Sequence, residues 1–520
     1  MDSRSNDYIL AKYDISGIQR YIFATNRLKE NVGASCQVTK ILEVYLPDSI
    51  REAVTQNDAY VIDWKKEDKL RFLEDESIIA EIIYIGGGNA LVLFQGMEVC
   101  QQVSQNLARK VAENCQGIYL AAAYVEEINL DNFSEDVEKL NRKMAKKKAG
   151  MIKQPVYSPF PVVEQDNANH QPITRRYCLS KEENMDMTEM QYQKWMAYQE
   201  TKGQKEGKLY SLIDGSVNYD YPVDMDALCR DSGGNSYIAI VHIDGNGMGA
   251  QVQKVLAESK EYETAVPTLR ENSKKISSVF ENTYQEMLKG LFRYLKLPDR
   301  KREEEIQMPL RPIVMDGDDF TFVCTADLAI PLAAGFLLEL MKGQKEETEK
   351  ITACSGIAFV HSHFPFYEAY CIAEESCSDA KKKWYQRREK ENSENCFLDF
   401  RILKGSEVGG TVRHEDWQMR PYSVEAKGHE KKEDSLVRLC EAVKKMESWP
   451  SNRLHKISQA MLEGEYEMEF LKKEFESRGY DIKDLTQAED WTKSPLYDAL
   501  EIRGLCEMKL LEEFWKMQEM

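Results

Sequence analysis

The sequence predicts an α+β protein with two similar modules of the ferredoxin-like type, joined by a connector and followed by an α-helical C-terminal domain. Apolar strands ending at Asp14 and Asp244 are each followed by a glycine-containing turn and a helix. A predicted hairpin follows in both halves, and the interval from Asp14 to Gly86 equals that from Asp244 to Asp316, at 72 residues. This repetition of landmarks predicts two homologous β-α-β-hairpin-β-α modules.

The first module is assigned to residues 1–150. Apolar runs predict a strand over 8–14, a hairpin over 81–94 around a Gly-Gly-Gly-Asn turn, and a strand over 118–125. A charged helix is expected from about Phe133, ending in Ala-Lys-Lys-Lys.

The second module is assigned to residues 233–400 and repeats this order. A strand is predicted over 237–244, a hairpin over 311–324 with its turn at Asp316-Gly317, and a strand over 355–360. The helix that starts near Phe366 is expected to end in Ala380-Lys-Lys-Lys383.

The remaining segments show no sign of chemistry. Residues 151–232 read as a polar connector or small subdomain, with a charged helical segment over Met185–Lys208. Residues 401–520 are assigned to a helical domain, because apolar residues recur at helical spacing from Leu436 onward.

Composition limits the classes of function. The chain has 520 residues, 42% hydrophobic and 30% charged, with a net charge of −19, which argues against a broadly basic nucleic-acid surface but leaves room for a local one. No apolar run is long enough to span a membrane and no signal peptide is visible, which favours the cytoplasm and no membrane partner. The 12 cysteines form no C-x-x-C pair, so no zinc is expected.

The aspartate-rich hairpin of the second module is a candidate metal site. Asp316, Asp318 and Asp319 repel one another, and a divalent cation such as Mg²⁺ or Mn²⁺ would offset that repulsion. An ordinary solvated acidic turn is the alternative. Because neighbouring strand residues point to opposite faces, Asp318 and Asp319 need not both be ligands, and Asp318 is the first choice.

Asp244 is the third candidate carboxylate. It closes an apolar strand just before Gly245-Asn246-Gly247, where glycines let a backbone approach phosphates and a helix N-terminus favours an anion. In this fold, the end of that strand lies beside the hairpin tip. Asp244, Asp318 and Asp319 are therefore the predicted catalytic and metal-binding residues, holding two ions, although Asp244 alone would also suit a helix cap.

The first module lacks a carboxylate in its hairpin, so it is expected to contact a ligand through its backbone. In the second module, a lysine of Lys381–Lys383 would neutralise a triphosphate or complement the dipole of a helix C-terminus. The predicted nucleotide-binding residues are Ser16, Gly87, Gly88, Gly245, Asn246, Gly247, Gly317, Lys381 and Lys382.

Taken together, the segment from Asp14 to Phe23, the Gly86–Asn89 hairpin, Asp244 and the Asp316–Asp319 hairpin resemble the large polymerase–cyclase subunit of type III CRISPR effector complexes. The resemblance implies two palm domains related to GGDEF nucleotide cyclases, the first degenerate. It implies synthesis of cyclic oligoadenylates from ATP, in antiviral defence. It also implies effector-complex subunits and guide or target RNA as partners.

Three departures from that family are visible. The sequence has no His-Asp pair of an HD nuclease, and Cys178 and Cys229 lack the partners of a zinc ribbon. Asp316 replaces the first glycine of the family's hairpin signature, which would raise metal affinity or impede the entry of a triphosphate.

The leading hypothesis is a metal-dependent nucleotidyltransferase that makes a cyclic or linear oligonucleotide from ATP, in which the first palm positions the second nucleotide. Two alternatives remain at this stage: a non-catalytic palm-pair scaffold of an RNA-guided complex, and a GGDEF-like cyclase that makes a dinucleotide. The sequence leaves open the base specificity, the product ring size and the activator.

Overall fold

The structure of the chain is a computed structural model. It describes residues 7–56, 59–152, 162–167, 170–178, 184–203, 219–229, 236–296, 306–344, 350–391, 395–403, 417–425, 434–486 and 491–519. The chain forms two compact units. The first unit comprises Met1–Ser211, Gly247–Ser278 and Ile313–Asp318, and the second comprises Leu212–Asn246, Val279–Pro312 and Asp319–Met520. The predicted α+β class is confirmed, whereas the four domain boundaries stay a prediction.

The first unit contains a five-stranded sheet in the order β2-β3-β4-β1-β5. Its strands are β1 (Tyr8–Ser16), β2 (Tyr60–Val61), β3 (Ala80–Gly86), β4 (Asn89–Gln95) and β5 (Tyr119–Val125). The helices between and after these strands are α1 (Ile18–Ile22), α2 (Leu28–Lys40), α3 (Leu46–Ala53), α4 (Arg71–Glu74), α5 (Met97–Asn114) and α6 (Phe133–Ala149). The predicted strands, the hairpin and α6 are confirmed, and most apolar residues of these strands are buried.

The core of the first unit includes helices that come much later in the chain. Helix α8 (Met248–Glu258) and the first half of α9 (Tyr262–Tyr294) contribute apolar side chains to the cluster beneath α6. The Tyr262 hydroxyl donates a hydrogen bond to Asp136 Oδ2 at 3.1 Å. The Arg270 guanidinium lies 2.8 Å from Glu81 Oε1, and both side chains are buried. This buried pair fixes α9 to the sheet, because separating it would leave an uncompensated charge.

The connector contains β6 (Ile173–Cys178), β7 (Asn184–Thr188) and α7 (Glu189–Gly203). The prediction of helix from Met185 is therefore wrong for its first residues, which pair with β6. Residues 204–208 of that prediction lie outside the described part of the chain. Helix α7 packs tightly on α2, since a Cβ on Gly33 would lie 1.9 Å from the Lys194 carbonyl oxygen.

The second large sheet has six strands in the order β11-β12-β9-β13-β14-β15, and every strand except β11 lies wholly within the second unit. Its strands are β9 (Tyr237–Gly245), β11 (Leu310–Asp316), β12 (Asp319–Thr325), β13 (Ala353–His361), β14 (Cys396–Ile402) and β15 (Tyr422–Val424), and β8 (Tyr219–Asp220) pairs separately with β10 (Ile306–Gln307). The central strand β9 lies antiparallel between β12 and β13, as β1 does between β4 and β5. The predicted repeat is thus present in the strand order.

Helix α11 (Phe366–Glu391) covers one face of this sheet, and α10 (Ala329–Lys342) precedes β13. The prediction that α11 ends at Lys383 is wrong. Its next residue, Trp384, is buried in a cluster with Cys354 and Phe397, so packing carries the helix onward.

The predicted helical C-terminal region is confirmed. Its helices are α12 (Leu436–Met446), α13 (Ser451–Glu463), α14 (Glu465–Glu476), α15 (Lys483–Thr486), α16 (Leu496–Ile502) and α17 (Met508–Glu519). Within the described residues, no helix is long and apolar enough to cross a membrane.

Candidate active site

The register of the second sheet places two of the candidate carboxylates opposite each other. Asp244, near the end of β9, pairs with Asp319, the first residue of β12. Directly opposed residues of antiparallel strands have Cβ atoms about 4.5–5.5 Å apart and point to the same face. Two carboxylates at this separation repel each other, so the pair favours a cation between or beside them.

A lysine supplies that cation in the structure. Lys381 Nζ, from α11, lies 2.6 Å from Asp244 Oδ2 and donates a second hydrogen bond to the Gly245 carbonyl oxygen at 2.8 Å. Burial opposes the charged form of Lys381, but the charge and hydrogen bond of Asp244 outweigh it and raise the pKa of the lysine. The ammonium therefore stays charged at neutral pH.

Asp319 is supported by a hydrogen-bonded chain on its own face of the sheet. The Thr321 hydroxyl lies 3.2 Å from Asp319 Oδ1, and His242 Nδ1 lies 3.0 Å from that hydroxyl. His242 is the register partner of Thr321, and its ring packs edge-on against Tyr370. Burial lowers the pKa of His242, against the opposing effects of Asp244 and Glu374.

Three other predicted site residues lie in the hairpin turn or in the loop after β9. Gly317 and Asp318 form the two-residue turn between β11 and β12, so the turn lies one residue later than predicted. Gly317 has a φ of 62°, a conformation that favours glycine. The Asn246 side chain is buried and donates to Thr352 Oγ1 at 3.1 Å, which makes it part of the loop's support.

Gly247 and Lys382 complete the predicted set in the second module. Gly247, with a φ of 70°, is the residue before α8. Lys382 is exposed and pairs with Asp379 on its own helix at 2.9 Å. It is not brought to Asp244, unlike Lys381.

The first module repeats the lysine–aspartate pair but not the carboxylate opposite it. Asp14 is the register partner of Asn89, and Lys148 Nζ lies 2.5 Å from Asp14 Oδ1. The lysine–aspartate pair is thus present in both modules, but an amide stands where the second module has Asp319. Gly17, with a φ of 74° before α1, corresponds to Gly247.

The predicted backbone ligands of the first module form its hairpin turn. Gly87 and Gly88 have φ values of 57° and 72°, and a Cβ on Gly88 would lie 2.4 Å from Ile18 Cδ1. Ser16 ends β1, and its hydroxyl is buried without a hydrogen-bond partner among the residues that the structure describes. The positive φ values favour glycine at both turn positions, whereas the Ile18 methyl group can rotate away from a Cβ.

The donor set fits a hard divalent cation only in part. Asp244, Asp319 and the Gly245 carbonyl offer oxygen atoms, which Mg²⁺ and Mn²⁺ prefer. The Lys381 ammonium already lies against two of these groups, so the site stabilises positive charge. Among the described residues, however, no group of three or more His, Cys, Asp or Glu side chains is arranged to hold a metal. Substrate phosphates or water would have to complete the coordination.

Sequence reasoning missed His242 and Thr321. Both lie two residues from a candidate carboxylate, His242 before Asp244 and Thr321 after Asp319, and strand alternation places such residues on the same face. This two-residue period of side-chain direction could have predicted that both residues face the candidate site. The Lys148–Asp14 pair had a signal as well, in the two Ala-Lys-Lys-Lys segments.

A sequence comparison identifies the second module. Residues 237–391 match the family model of the second palm domain of Cas10/Cmr2. The second module is Cas10-like. It contains Asp244, Asp319 and Lys381, so the carboxylate pair described above lies within the matched domain.

Solved structures resemble the chain over nearly its whole length. A Csm1-Csm4 cassette in complex with cA4 has a TM-score of 0.53 at 14% identity, covering 99% of this chain and 70% of that one. A Csm1-Csm4 subcomplex of the type III-A CRISPR-Csm interference complex has a TM-score of 0.53 at 13% identity, covering 97% and 72%. The cassette in complex with pppApA has a TM-score of 0.51 at 13% identity, covering 96% and 69%.

At these identities the likeness shows a shared fold. Among curated proteins, none matches the chain at a significant level.

Proposed function

We propose that this chain is a metal-dependent nucleotidyltransferase that makes cyclic oligoadenylates from ATP, as a subunit of a type III CRISPR effector complex. The observation that carries the proposal is the register pairing of Asp244 with Asp319 at the end of β9, inside a Cas10-type palm. Support for adenine nucleotides comes from the structural relatives bound to cA4 and pppApA. The Csm1-Csm4 pairing of those relatives supports a partner subunit.

The reaction would join two nucleotides at the α-phosphorus. A ribose hydroxyl oxygen forms the new bond to phosphorus, the bond from that phosphorus to the bridging oxygen of the β-phosphate breaks, and pyrophosphate leaves while the hydroxyl proton passes to solvent. Two bound divalent ions would polarise the hydroxyl and neutralise the pyrophosphate. Asp244 and Asp319 would hold these ions, with Asp318 of the adjoining turn as the third predicted ligand.

Lys381 would have two positions in this scheme. Without substrate its ammonium neutralises Asp244, as the structure shows. When a cation binds Asp244, the lysine is released to contact the triphosphate, where a compact positive charge favours the departing phosphates. Gly245 and Gly247 would allow the backbone to approach those phosphates closely.

The test combines product analysis with matched variants. The purified chain is incubated with each nucleoside triphosphate and Mg²⁺ or Mn²⁺, alone and with its effector subunits and target RNA, and products are identified by mass spectrometry. We expect cyclic products from ATP. Asp244→Asn, Asp319→Asn, and Asp318→Ala combined with Asp319→Ala should each lower turnover by about 100-fold or more, because charge stabilisation in the transition state is lost.

The control and the contradicting outcomes are equally specific. Glu368→Gln, an exposed carboxylate of α11, should leave turnover unchanged. Full activity of the double variant Asp244→Asn with Asp319→Asn would remove the site assignment. Absence of product from any nucleotide, even with partners and RNA present, would favour the scaffold alternative, and a dinucleotide from GTP would favour a GGDEF-like cyclase.

A further inference from the structure

Helix α6 presents an exposed basic surface on an otherwise acidic protein. Its exposed cations are Arg142, Lys143, Lys146 and Lys147, which we call the α6 basic surface. The sequence from Lys139 to Lys153 contains seven Lys or Arg residues and no Asp or Glu, although the net charge of the chain is −19. Such a concentration of one sign of charge raises the local concentration of anions.

Most cations of this surface form no ion pair with other described residues. Lys148 pairs with Asp14, and Lys139 pairs with Glu135 and Asp136. By contrast, Arg142, Lys146 and Lys147 make no ion pair within the part of the chain that the structure describes. Lys143 donates only to a backbone carbonyl, that of Tyr124, at 3.1 Å.

The equivalent helix of the second module provides an internal comparison. In α11, Lys381 pairs with Asp244 and Lys382 with Asp379, while Lys383 and Arg387 both pair with Asp434. Helix α11 continues past Lys383 to Glu391, and these lysines are taken up by ion pairs within the fold, whereas the lysines of α6 lie in its last turns and are mostly exposed. The unpaired charges of α6 therefore indicate an external anion.

An exposed aromatic ring lies beside these charges. Tyr124 is 37% exposed on β5, which is an edge strand of the first sheet. Lys143 Nζ lies 6.0 Å from the centre of its ring. A basic surface with an accessible aromatic face is the usual arrangement for single-stranded nucleic acids, because the cations contact phosphates and the ring stacks on a base.

We propose that the α6 basic surface and Tyr124 bind a single-stranded nucleic acid through its phosphate backbone. Arg142 and Lys146 lie one helical turn apart, as do Lys143 and Lys147, so two rows of cations face solvent along the helix. An acidic protein would also be attracted by these cations, but it has no nucleobase that stacks on Tyr124. The site is separate from the carboxylate pair and does not depend on the proposed catalysis.

The experiment measures binding with EDTA present and without nucleoside triphosphates, so it is independent of turnover. Fluorescence anisotropy is recorded with labelled oligouridine and oligothymidine 20-mers over a series of salt concentrations. The test variant combines Arg142→Gln, Lys143→Gln, Lys146→Gln and Lys147→Gln. The control variant combines Lys65→Gln, Lys66→Gln, Lys69→Gln and Arg71→Gln, four exposed cations of the same unit with the same change in net charge.

We expect the test variant to weaken binding by at least about tenfold and to reduce the slope of log K against log salt by about 2–3, as four lost phosphate contacts on a single strand imply. The control should bind like the original chain. Tyr124→Ala should weaken binding about fivefold or more through lost stacking. Circular dichroism and thermal unfolding confirm that each variant is folded.

Three results would overturn the proposal. In the first result, the test variant retains the affinity and salt slope of the original chain, and in the second, the control variant loses as much affinity as the test variant. In the third result, a polyglutamate peptide would compete as well as the oligonucleotides, which would point to an acidic protein as the occupant. Preference for oligouridine or for oligothymidine would identify the nucleic acid as RNA or DNA.

Discussion

Asp319 is positioned by a hydrogen-bonded chain whose direction the structure defines. Burial lowers the pKa of His242, which favours the neutral ring with a proton on one nitrogen. The Thr321 hydroxyl has a single proton, and Asp319 Oδ1, a carboxylate oxygen, accepts it. His242 must therefore carry its proton on Nδ1 and donate it to Thr321 Oγ1. This series of hydrogen bonds orients Asp319 before a cation binds, as the partners of metal-ligating carboxylates commonly do.

This reasoning predicts the effect of Thr321→Val. The substitution keeps the side-chain volume but removes the hydroxyl from both Asp319 and His242 Nδ1, which is left with only the longer contact to Asp319 Oδ1 at 3.4 Å. We expect the free energy of unfolding to fall by about 1–3 kcal/mol and Mn²⁺ affinity to fall by about tenfold. Thermal unfolding and electron paramagnetic resonance of Mn²⁺ measure the two effects separately.

Thr325→Val is the matched control on the same strand. The Thr325 hydroxyl is buried without a hydrogen-bond partner among the described residues, so its removal should be neutral or stabilising. Equal Mn²⁺ affinity in Thr321→Val and the original chain would show that the hydroxyl does not position Asp319.

At the scale of elements, the contact between α11 and β13 determines where Lys381 lies. Gly356 is opposite His242 in the register of β13 and β9, directly beneath α11. A Cβ at Gly356 would lie 2.0 Å from the Ala373 carbonyl oxygen and 2.2 Å from the Cys377 nitrogen. Only glycine allows the helix backbone to approach the sheet this closely, and this approach brings Lys381 within reach of Asp244.

We therefore predict that Gly356→Ala displaces α11. The added methyl group meets backbone atoms that cannot rotate away, so the free energy of unfolding should fall by about 1–3 kcal/mol or more. Lys381 should then lose its contact with Asp244, and Mn²⁺ affinity should change with it. Ser355→Ala is the control, because its buried hydroxyl has no partner in the described residues and its removal leaves the helix in place. Unchanged unfolding of Gly356→Ala would contradict this account.

The sequence predicts those elements whose signal is local. Alternating apolar residues and glycine turns predict β1, β9 and both hairpins, since these patterns depend only on neighbouring residues. The predicted end of α11 is wrong because the helix is extended by the burial of Trp384, a tertiary contact that has no local signal. The packing of α8 and the first half of α9 into the first unit has no local signal, because its contacts, such as the buried Arg270–Glu81 pair, join residues that are far apart in the chain.

The same distinction explains the candidate site. Asp244 and the aspartate hairpin were predictable from pattern, but the choice between Asp318 and Asp319 depends on where the turn lies. Pairing of β12 with β9 makes Asp319 the residue opposite Asp244, and no local signal specifies that register. The roles of both residues stay a prediction that the variants above will test.

At the scale of the whole molecule, the two modules can be compared at the residue that faces the aspartate of the central strand. Both place an aspartate at the end of the central strand and a lysine against it, as Asp14 with Lys148 and Asp244 with Lys381. The residue opposite is Asn89 in the first module and Asp319 in the second. Asn89 uses its amide to donate to the Gly87 carbonyl oxygen at 3.0 Å, a bond that a carboxylate cannot make. In the first module, the residue at this position thus supports the hairpin turn, whereas in the second module it is a possible cation ligand.

This comparison predicts that Asn89→Asp creates a second cation site. Asp14 and the new carboxylate would repel each other, so the variant should unfold at a lower temperature than the original chain in EDTA and recover in Mn²⁺. Lys148 limits the loss, since it already neutralises part of the charge. We expect Mn²⁺ titration to show about one more ion per chain than the original. Asn106→Asp, the same change on α5 away from the site, should show neither effect. An unchanged stoichiometry in Asn89→Asp would mean that a facing carboxylate pair is insufficient, and that the second module binds cations through groups the first module lacks.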